Sequence, residues 1–309
     1  MPSSTSSSNP APLDRWSAAL LASLLLLLAG AEALTRVFLV PSSKVLSRYQ
    51  QETDTARSAG PRNRLLVCGN STLAENVDFP ALRKSLEPHW QAERWSMDDT
   101  RFFDWYYALR SLRAQNKLPA ALAIVLAPFQ IIPAQARDTF FAHYLLDPSD
   151  LLRASWDLSL HPTDAASMAL AIPSRFYATR QDLRKNLIRR FVPFLPHLMA
   201  SLVSPQQQST LPLSRQSDVY RARLNLLAAE ASITGIPVLL ILPSLREATP
   251  AEEAVMAATQ APVRVLRPAP SGHFPASLYR DGLHMTPEGA AAYTPFFARA
   301  IQEALPRRP

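Results

Sequence analysis

A hydroxyl nucleophile needs three side chains: one that attacks, one that takes its proton and one that orients the base. Two short stretches of this chain supply those types. Leu65–Thr72 reads LLVCGNST and carries Ser71. Tyr279–Gly289 reads YRDGLHMTPEG and carries Asp281 and His284. Gly69 permits a sharp turn or a close backbone approach, and Asn70 tolerates unusual backbone angles. Ser71 would then stand at the amino end of a helix, where N–H groups can stabilise an oxyanion. Asp281 and His284 are two residues apart in a Gly-containing loop, a spacing that lets the carboxylate accept from one ring nitrogen while the other faces Ser71. Plainer readings stand beside these. Ser71 or Thr72 is a helix cap; Asp281 is a surface carboxylate and His284 a structural histidine. His273, in the same loop, is an alternative base.

These residues need elements that bring them together. Arg64–Cys68 is a short apolar strand running into the Ser71 turn, and Ser71–Leu86 reads largely as helix. Ala92–Met97 reads as a second strand and Arg101–Gln115 as an aromatic-rich helix. Ala120–Ala127 and Ile236–Leu242 are continuous apolar runs, each closed by a proline, as expected of strands buried on both faces. Helical segments run on to Arg190. Val203–Ser217 reads as a mobile loop, and Asp218–Thr234 as a helix that Gly235 stops. Thr249-Pro250-Ala251-Glu252 reads as a capping box with proline at the first helical position. Val263–Leu266 is a short strand, and Thr286-Pro287-Glu288 opens the last helix. Strands alternating with helices predict an α/β fold with a central parallel sheet. Ligands of such sheets bind at the carboxyl ends of the strands, so the topology predicts that the two stretches meet at one edge.

Composition narrows the class. Hydrophobic residues make up 48% of the 309 and the net charge is +7, which suits anionic glycans, lipid headgroups or phosphates. No nucleic-acid-binding motif accompanies the charge, and with seven glycines no phosphate-binding Gly-rich loop is present. The single cysteine, Cys68, excludes an intramolecular disulfide and a Cys-based zinc site, and reads as a small buried core residue. His89, His143, His161, His197 and His273 lack metal-ligand spacing, so no metal or other cofactor is expected. Arg175, Arg180, Arg184, Lys185, Arg189 and Arg190 form either a solvated helix face or a stripe for anionic ligands.

The amino-terminal region differs from the rest. Residues 1–14 are rich in Ser, Pro and Ala and read as disordered. Trp16–Ala31 carries no charge and includes five consecutive leucines; as a helix it spans about 24 Å, short of a hydrocarbon core of about 30 Å. Apolar character resumes at Val37–Val40, which favours an uncleaved transmembrane anchor over residues 15–40, with Glu32 and Arg36 near the interface. A cleaved signal peptide, with small residues at Ala29, Ala31 and Ala33, is the alternative and would yield a secreted esterase. Residues 41–63 read as a polar linker, and 64–309 as the catalytic domain.

The pair GNS…DGLH followed by TPEG resembles the first and last motif blocks of the SGNH (GDSL-like) hydrolase superfamily. The resemblance covers roughly residues 64–305 and implies a three-layer flavodoxin-like fold, with Ser71 as nucleophile, His284 as base and Asp281 as orienter. Asn70 replaces the usual aspartate. The oxyanion-hole glycine expected after the second strand is missing from Trp95–Thr100, where Ser96 or a nearby backbone amide is the nearest stand-in. The asparagine expected after the third strand is replaced by Gln130; the Ser71 amide is the remaining oxyanion donor. An anchored chain with these departures resembles the SGNH-like proteins that accompany membrane-bound O-acyltransferases. By that resemblance the substrate is an acyl ester of a cell-surface polysaccharide and an acyltransferase is a partner, with the domain on the periplasmic or extracellular side. An inactive binding or assembly component of the same fold is the alternative.

Overall fold

The computed structural model of the chain describes residues 15–191 and 211–306. The helical run Arg15–Ser42 begins as α1, Arg15–Leu34, and is long and apolar enough to cross a membrane. It is followed by α2, Lys44–Arg57; β1, Arg64–Gly69; α3, Ser71–Asn76; and α4, Phe79–Leu86. Then come β2, Gln91–Ser96; α5, Phe102–Ala114; β3, Ala121–Val125; α6, Pro128–Ile131; and α7, Asp138–Tyr144. Next are α8, Leu151–Asp157; α9, Pro162–Ala171; α10, Arg175–Phe191; and α11, Leu213–Thr234. The chain closes with β4, Val238–Ile241; α12, Pro250–Ala257; β5, Arg264–Leu266; and α13, Pro287–Ala304. All five predicted strands are present.

The strands form one sheet in the order β2-β1-β3-β4-β5, and every pairing is parallel. This is the flavodoxin-like order, whose direction of winding reverses between β1 and β3. Side chains alternate across the sheet. Leu65, Val67, Ala123, Val125 and Ile241 pack on one face with Leu73, Leu82, Tyr293 and Phe297 from α3, α4 and α13. Leu66, Cys68, Leu122, Ile124 and Leu240 pack on the other, with side chains of α2, α5, α7, α11 and α12. Cys68 is buried, and burial pushes its thiol well above the ordinary value.

Some sequence expectations need correction. The predicted helix Ser71–Leu86 is two helices, because the Asp78 side chain accepts from Ala81 N and restarts the helix next to Pro80. Residues 213–217, read as loop, already belong to α11, while 1–14 and 203–210 lie outside the described residues. Glu252 does not complete a capping box with Thr249; its carboxylate accepts from Ser271 Oγ instead.

The stretch read as a linker contains α2, whose Leu46, Tyr49, Thr53 and Ala56 are buried. Their spacing of three and four makes one narrow buried stripe among polar residues, so average composition hid the helix. Glu52 on the same helix accepts from Arg94 Nε at 2.8 Å and from Ser96 N at 2.6 Å, covering the edge strand β2. Tyr49 is 1% exposed and its hydroxyl accepts from Asp98 N at 3.1 Å. Tyr49→Ala is expected to destabilise the domain by about 3–5 kcal/mol, the range for large aromatic truncations in a core. Urea unfolding checks this; a loss near zero would mean that α2 is peripheral.

Candidate active site

The site is built on the ends of β1 and the loop before α13. β1 ends at Gly69, where an added Cβ would stand 2.9 Å from Leu73 Cβ and 3.0 Å from Val125 O, so only glycine fits between the turn and β3. Asn70 caps α3: its Oδ1 accepts from Thr72 N at 3.0 Å and Thr72 Oγ1 at 2.8 Å. Its Nδ2 donates to Thr100 O at 3.0 Å, tying the Ser71 turn to the loop after β2. An aspartate there has no donor and would set a carboxylate against a carbonyl. Ser71 is the first residue of α3.

The Asp281–His284 loop is held at both ends. Tyr279 and Met285 form an isolated antiparallel bridge, and Arg280 N donates to His284 O at 2.8 Å. Thr286 caps α13, accepting from Gly289 N at 3.2 Å, and a Cβ at Gly289 would run into the Leu278 carbonyl. Asp281 Oδ1 accepts from Leu283 N at 2.7 Å and His284 N at 2.8 Å. Its Oδ2 lies 2.9 Å from His284 Nδ1, and His284 Nε2 lies 2.9 Å from Ser71 Oγ. The structure thus brings the three predicted residues into one hydrogen-bonded chain. Partial burial pushes the Asp281 carboxyl up, but hydrogen bonds from the His284 ring and from the two N–H groups outweigh it and hold the carboxyl below its ordinary value.

One residue of this site had no motif to reveal it. Asn76, at the end of α3 and fully buried, donates from Nδ2 to Leu283 O at 2.8 Å and accepts at Oδ1 from Met285 N at 2.9 Å. It grips the backbone on both sides of His284. The signal in the sequence was slight: an amide side chain on the first helix after Ser71, with no position assigned to it.

Ser71 and His284 open on a cavity of about 1140 Å³, lined also by Asn70, Asp99, Thr100, Phe129 and Gln130. Its farther walls come from residues 133–140 and from Ala178, Gln181 and Asp182 on α10. Two walls carry non-glycine residues at positive φ, Asp99 at 60° and Asp138 at 41°. Asp99 therefore adopts, in the loop after β2, a backbone that glycine favours, although no glycine is there.

The other sequence-predicted residues are placed as follows. Gln130 lines the cavity; its Oε1 accepts from Ala127 N at 2.8 Å, which leaves the Nε2 end to donate. Ser96 is a correction: it is fully buried at the end of β2, and its N–H and Oγ both donate to Glu52 Oε2, so it is not available to an oxyanion. His273 packs edge-on against Phe274 and Phe296, and it is His284 whose Nε2 meets the Ser71 hydroxyl. Of the basic stripe, Arg180 is engaged within the fold, donating to Thr139 Oγ1 at 3.1 Å and lying over the Tyr177 ring at 3.8 Å. Among the described residues no group of three His, Cys, Asp or Glu could hold a metal ion.

Asp104, fully buried on α5, joins two rims of the cavity. Its Oδ2 accepts from Arg101 N at 2.8 Å and its Oδ1 from Arg137 N at 2.9 Å. Burial pushes its carboxyl up to about 7, against the pull of those two N–H groups.

No family model matches the chain, and no curated protein matches it. Several solved structures resemble it, including two from Bacteroides. One is a candidate acylhydrolase from Bacteroides fragilis NCTC 9343, with 13% identity and a TM-score of 0.39, over 84% of this chain and 94% of that one. The other is a GDSL-like lipase from Bacteroides thetaiotaomicron VPI-5482, with 11% identity and a TM-score of 0.39, over 84% of this chain and 98% of that one.

Two outcomes follow from the site's geometry. Asn76→Ala strands the half-buried Leu283 carbonyl and the buried Met285 N–H, which costs about 1–3 kcal/mol and speeds hydrogen exchange at Met285; unchanged exchange there would remove Asn76 from the site. Asp104 keeps a proton in the fold that the unfolded chain has released, so stability falls as pH rises from about 4 to about 7, by at most about 4 kcal/mol. Asp104→Asn should flatten that slope in urea titrations; an unchanged slope would assign it to other groups.

Proposed function

We propose that this chain is a serine esterase or O-acyltransferase of SGNH type, with Ser71 as nucleophile, His284 as base and Asp281 as orienter. The observation that carries the reading is the unbroken chain Ser71 Oγ, His284 Nε2, His284 Nδ1, Asp281 Oδ2, each link 2.9 Å, at the mouth of a large cavity. With Nδ1–H donating to the ionised Asp281, Nε2 presents its lone pair to the Ser71 hydroxyl. Ser71 Oγ attacks the ester carbonyl as its proton passes to Nε2. The tetrahedral oxyanion is stabilised by the Ser71 amide, by Gln130 Nε2, and by the backbone N–H groups of the Asp99–Thr100 turn. His284 then returns the proton to the departing alkoxide, leaving the acyl group on Ser71. In the second half His284 takes a proton from water or an acceptor hydroxyl, whose oxygen attacks the acyl carbonyl, and Ser71 leaves with that proton.

The substrate in this reading is an acyl ester of a cell-surface polysaccharide. The cavity supports it by combining charged and polar walls, Arg101, Asp99 and Gln135, with Phe129 and Leu158. The helix Arg15–Ser42 holds the domain to the membrane on its periplasmic or extracellular side, where a membrane-bound O-acyltransferase would be the partner. A second reading, an inactive assembly component, is favoured by one observation: the places of the oxyanion glycine and asparagine are held by Asp99 and Gln130.

Labelling with a fluorophosphonate probe tests the function. The wild-type chain should label, and Ser71→Ala and His284→Ala should not. Asp281→Asn should slow labelling by roughly 10⁴, the loss seen when a triad carboxylate becomes an amide. A folded wild-type chain that fails to label would favour the inactive reading.

A further inference from the structure

The anchor helix is fastened to the cavity wall. Every residue from Arg15 to Gly30 is exposed, and the domain first covers the helix at Ala31. At that point Glu32 turns into the domain. Its Oε2 accepts from Ser174 Oγ at 2.8 Å and Phe176 N at 3.0 Å, and its Oε1 from Arg175 N at 3.0 Å. Ser174–Phe176 is the start of α10, where unpaired N–H groups favour an anion. Arg36, one turn further, donates to Glu32 at 2.5 Å and to Pro173 O at 3.1 Å. Thr35, between them, is fully buried. These are contacts of a docked helix rather than a loose tether.

The docked helix and the Ser71 cavity share α10. Ala178, Gln181 and Asp182 form a wall of the cavity, and Arg137 on another wall pairs with Asp182 at 3.2 Å. Ala178, Gln181 and Asp182 follow Arg175 by three, six and seven residues, so the wall begins about 5 Å along α10 from the Glu32 contact. Leu170, just ahead of the Pro173 carbonyl that holds Arg36, is 58% exposed.

We propose that Glu32 is a positioning residue that locks the anchor to the α10 wall, sets the cavity against the bilayer surface, and so directs Ser71 to acyl esters carried at that surface rather than to esters free in solution. The proposal rests on the esterase reading above. Within that reading the substrate class narrows to a membrane-held glycan or other amphiphile whose acyl ester lies at headgroup level. A loose tether would let the domain sample many orientations; the Glu32 clasp holds one.

The test uses the full chain in phosphatidylcholine vesicles, with a soluble p-nitrophenyl acetate assay beside a vesicle-incorporated 4-methylumbelliferyl palmitate assay. In Glu32→Ala the vesicle-borne rate should fall about tenfold or more while the soluble rate stays within about twofold, because only the orientation at the surface is lost. Equal losses on both substrates, or none on either, would overturn the proposal. A wild-type chain inactive on both would instead sink the esterase reading. A second measurement is independent of activity. A dye on Ala134→Cys, at the exposed cavity rim, should transfer energy strongly to headgroup-labelled lipid, and Glu32→Ala should weaken the transfer. Buried Cys68 leaves the introduced thiol as the reactive one. Weak transfer in the chain that keeps Glu32 overturns the proposal whatever the enzymology shows.

Discussion

Hydrogen bonding of β1 along both edges, by β2 on one side and β3 on the other, is the constraint on which the rest of the molecule depends. Its register sets Gly69 beside Ser96 and Val125, so three strands end at one level. Winding reverses direction at this point, and the following loops diverge to leave a crevice. Ser71, the Asp99–Thr100 turn and Gln130 all enter that crevice because they follow these three strand ends. The Asn70 amide then joins two of the loops directly, with Thr100 O as its acceptor. Burial on both faces makes this register costly to change, since a slip of one residue would exchange the two sets of apolar side chains.

Polar side chains act as joints around the sheet. Arg64 is 2% exposed, yet its guanidinium donates to the carbonyls of Ser58 at 3.1 Å and Lys117 at 2.8 Å, binding the end of α2 to the start of β1. Glu52, further back along α2, ties that helix to Arg94 and Ser96 of β2. Glu230, also 2% exposed, takes Arg110 at 3.0 Å and Arg113 at 2.5 Å, joining α11 to α5. Each of these charges has an opposite one, for Arg64 the Glu93 carboxylate at 3.7 Å, which is the condition for its being tolerated at all; an unmatched one would cost several kcal/mol. Asp104 differs in having no ion pair: its carboxylate accepts from the backbone N–H groups of Arg101 and Arg137. The two cavity rims it holds are therefore joined by a group whose charge responds near neutral pH.

Legibility in the sequence followed the range of the interactions. The strands were readable because burial on both faces forces unbroken apolar runs such as Ala120–Ala127. The cap at Thr286 was readable because a side chain meets the backbone only three residues away. Glu252 looked like part of a cap for the same local reason, and was drawn away by Ser271 on a different segment. The α2 stripe escaped notice because four buried positions in fourteen residues, one of them Thr53, resemble a linker until there is a sheet edge to cover. Ser96 looked free because its partner, Glu52, lay in that supposed linker.

By itself the sequence determined the alternation of strands and helices, the turn at Gly69 and the local geometry of the Asp281–His284 loop, all of which rest on contacts within a few residues. Only the tertiary structure decided that His284 meets Ser71, that Asn76 grips both sides of His284, that Asp99 adopts a positive-φ backbone at the cavity wall, and that Glu32 belongs to the cap of α10. Those outcomes join groups far apart in the chain. Periodicity and spacing carry no information about such pairs until the parallel sheet has brought its strand ends together.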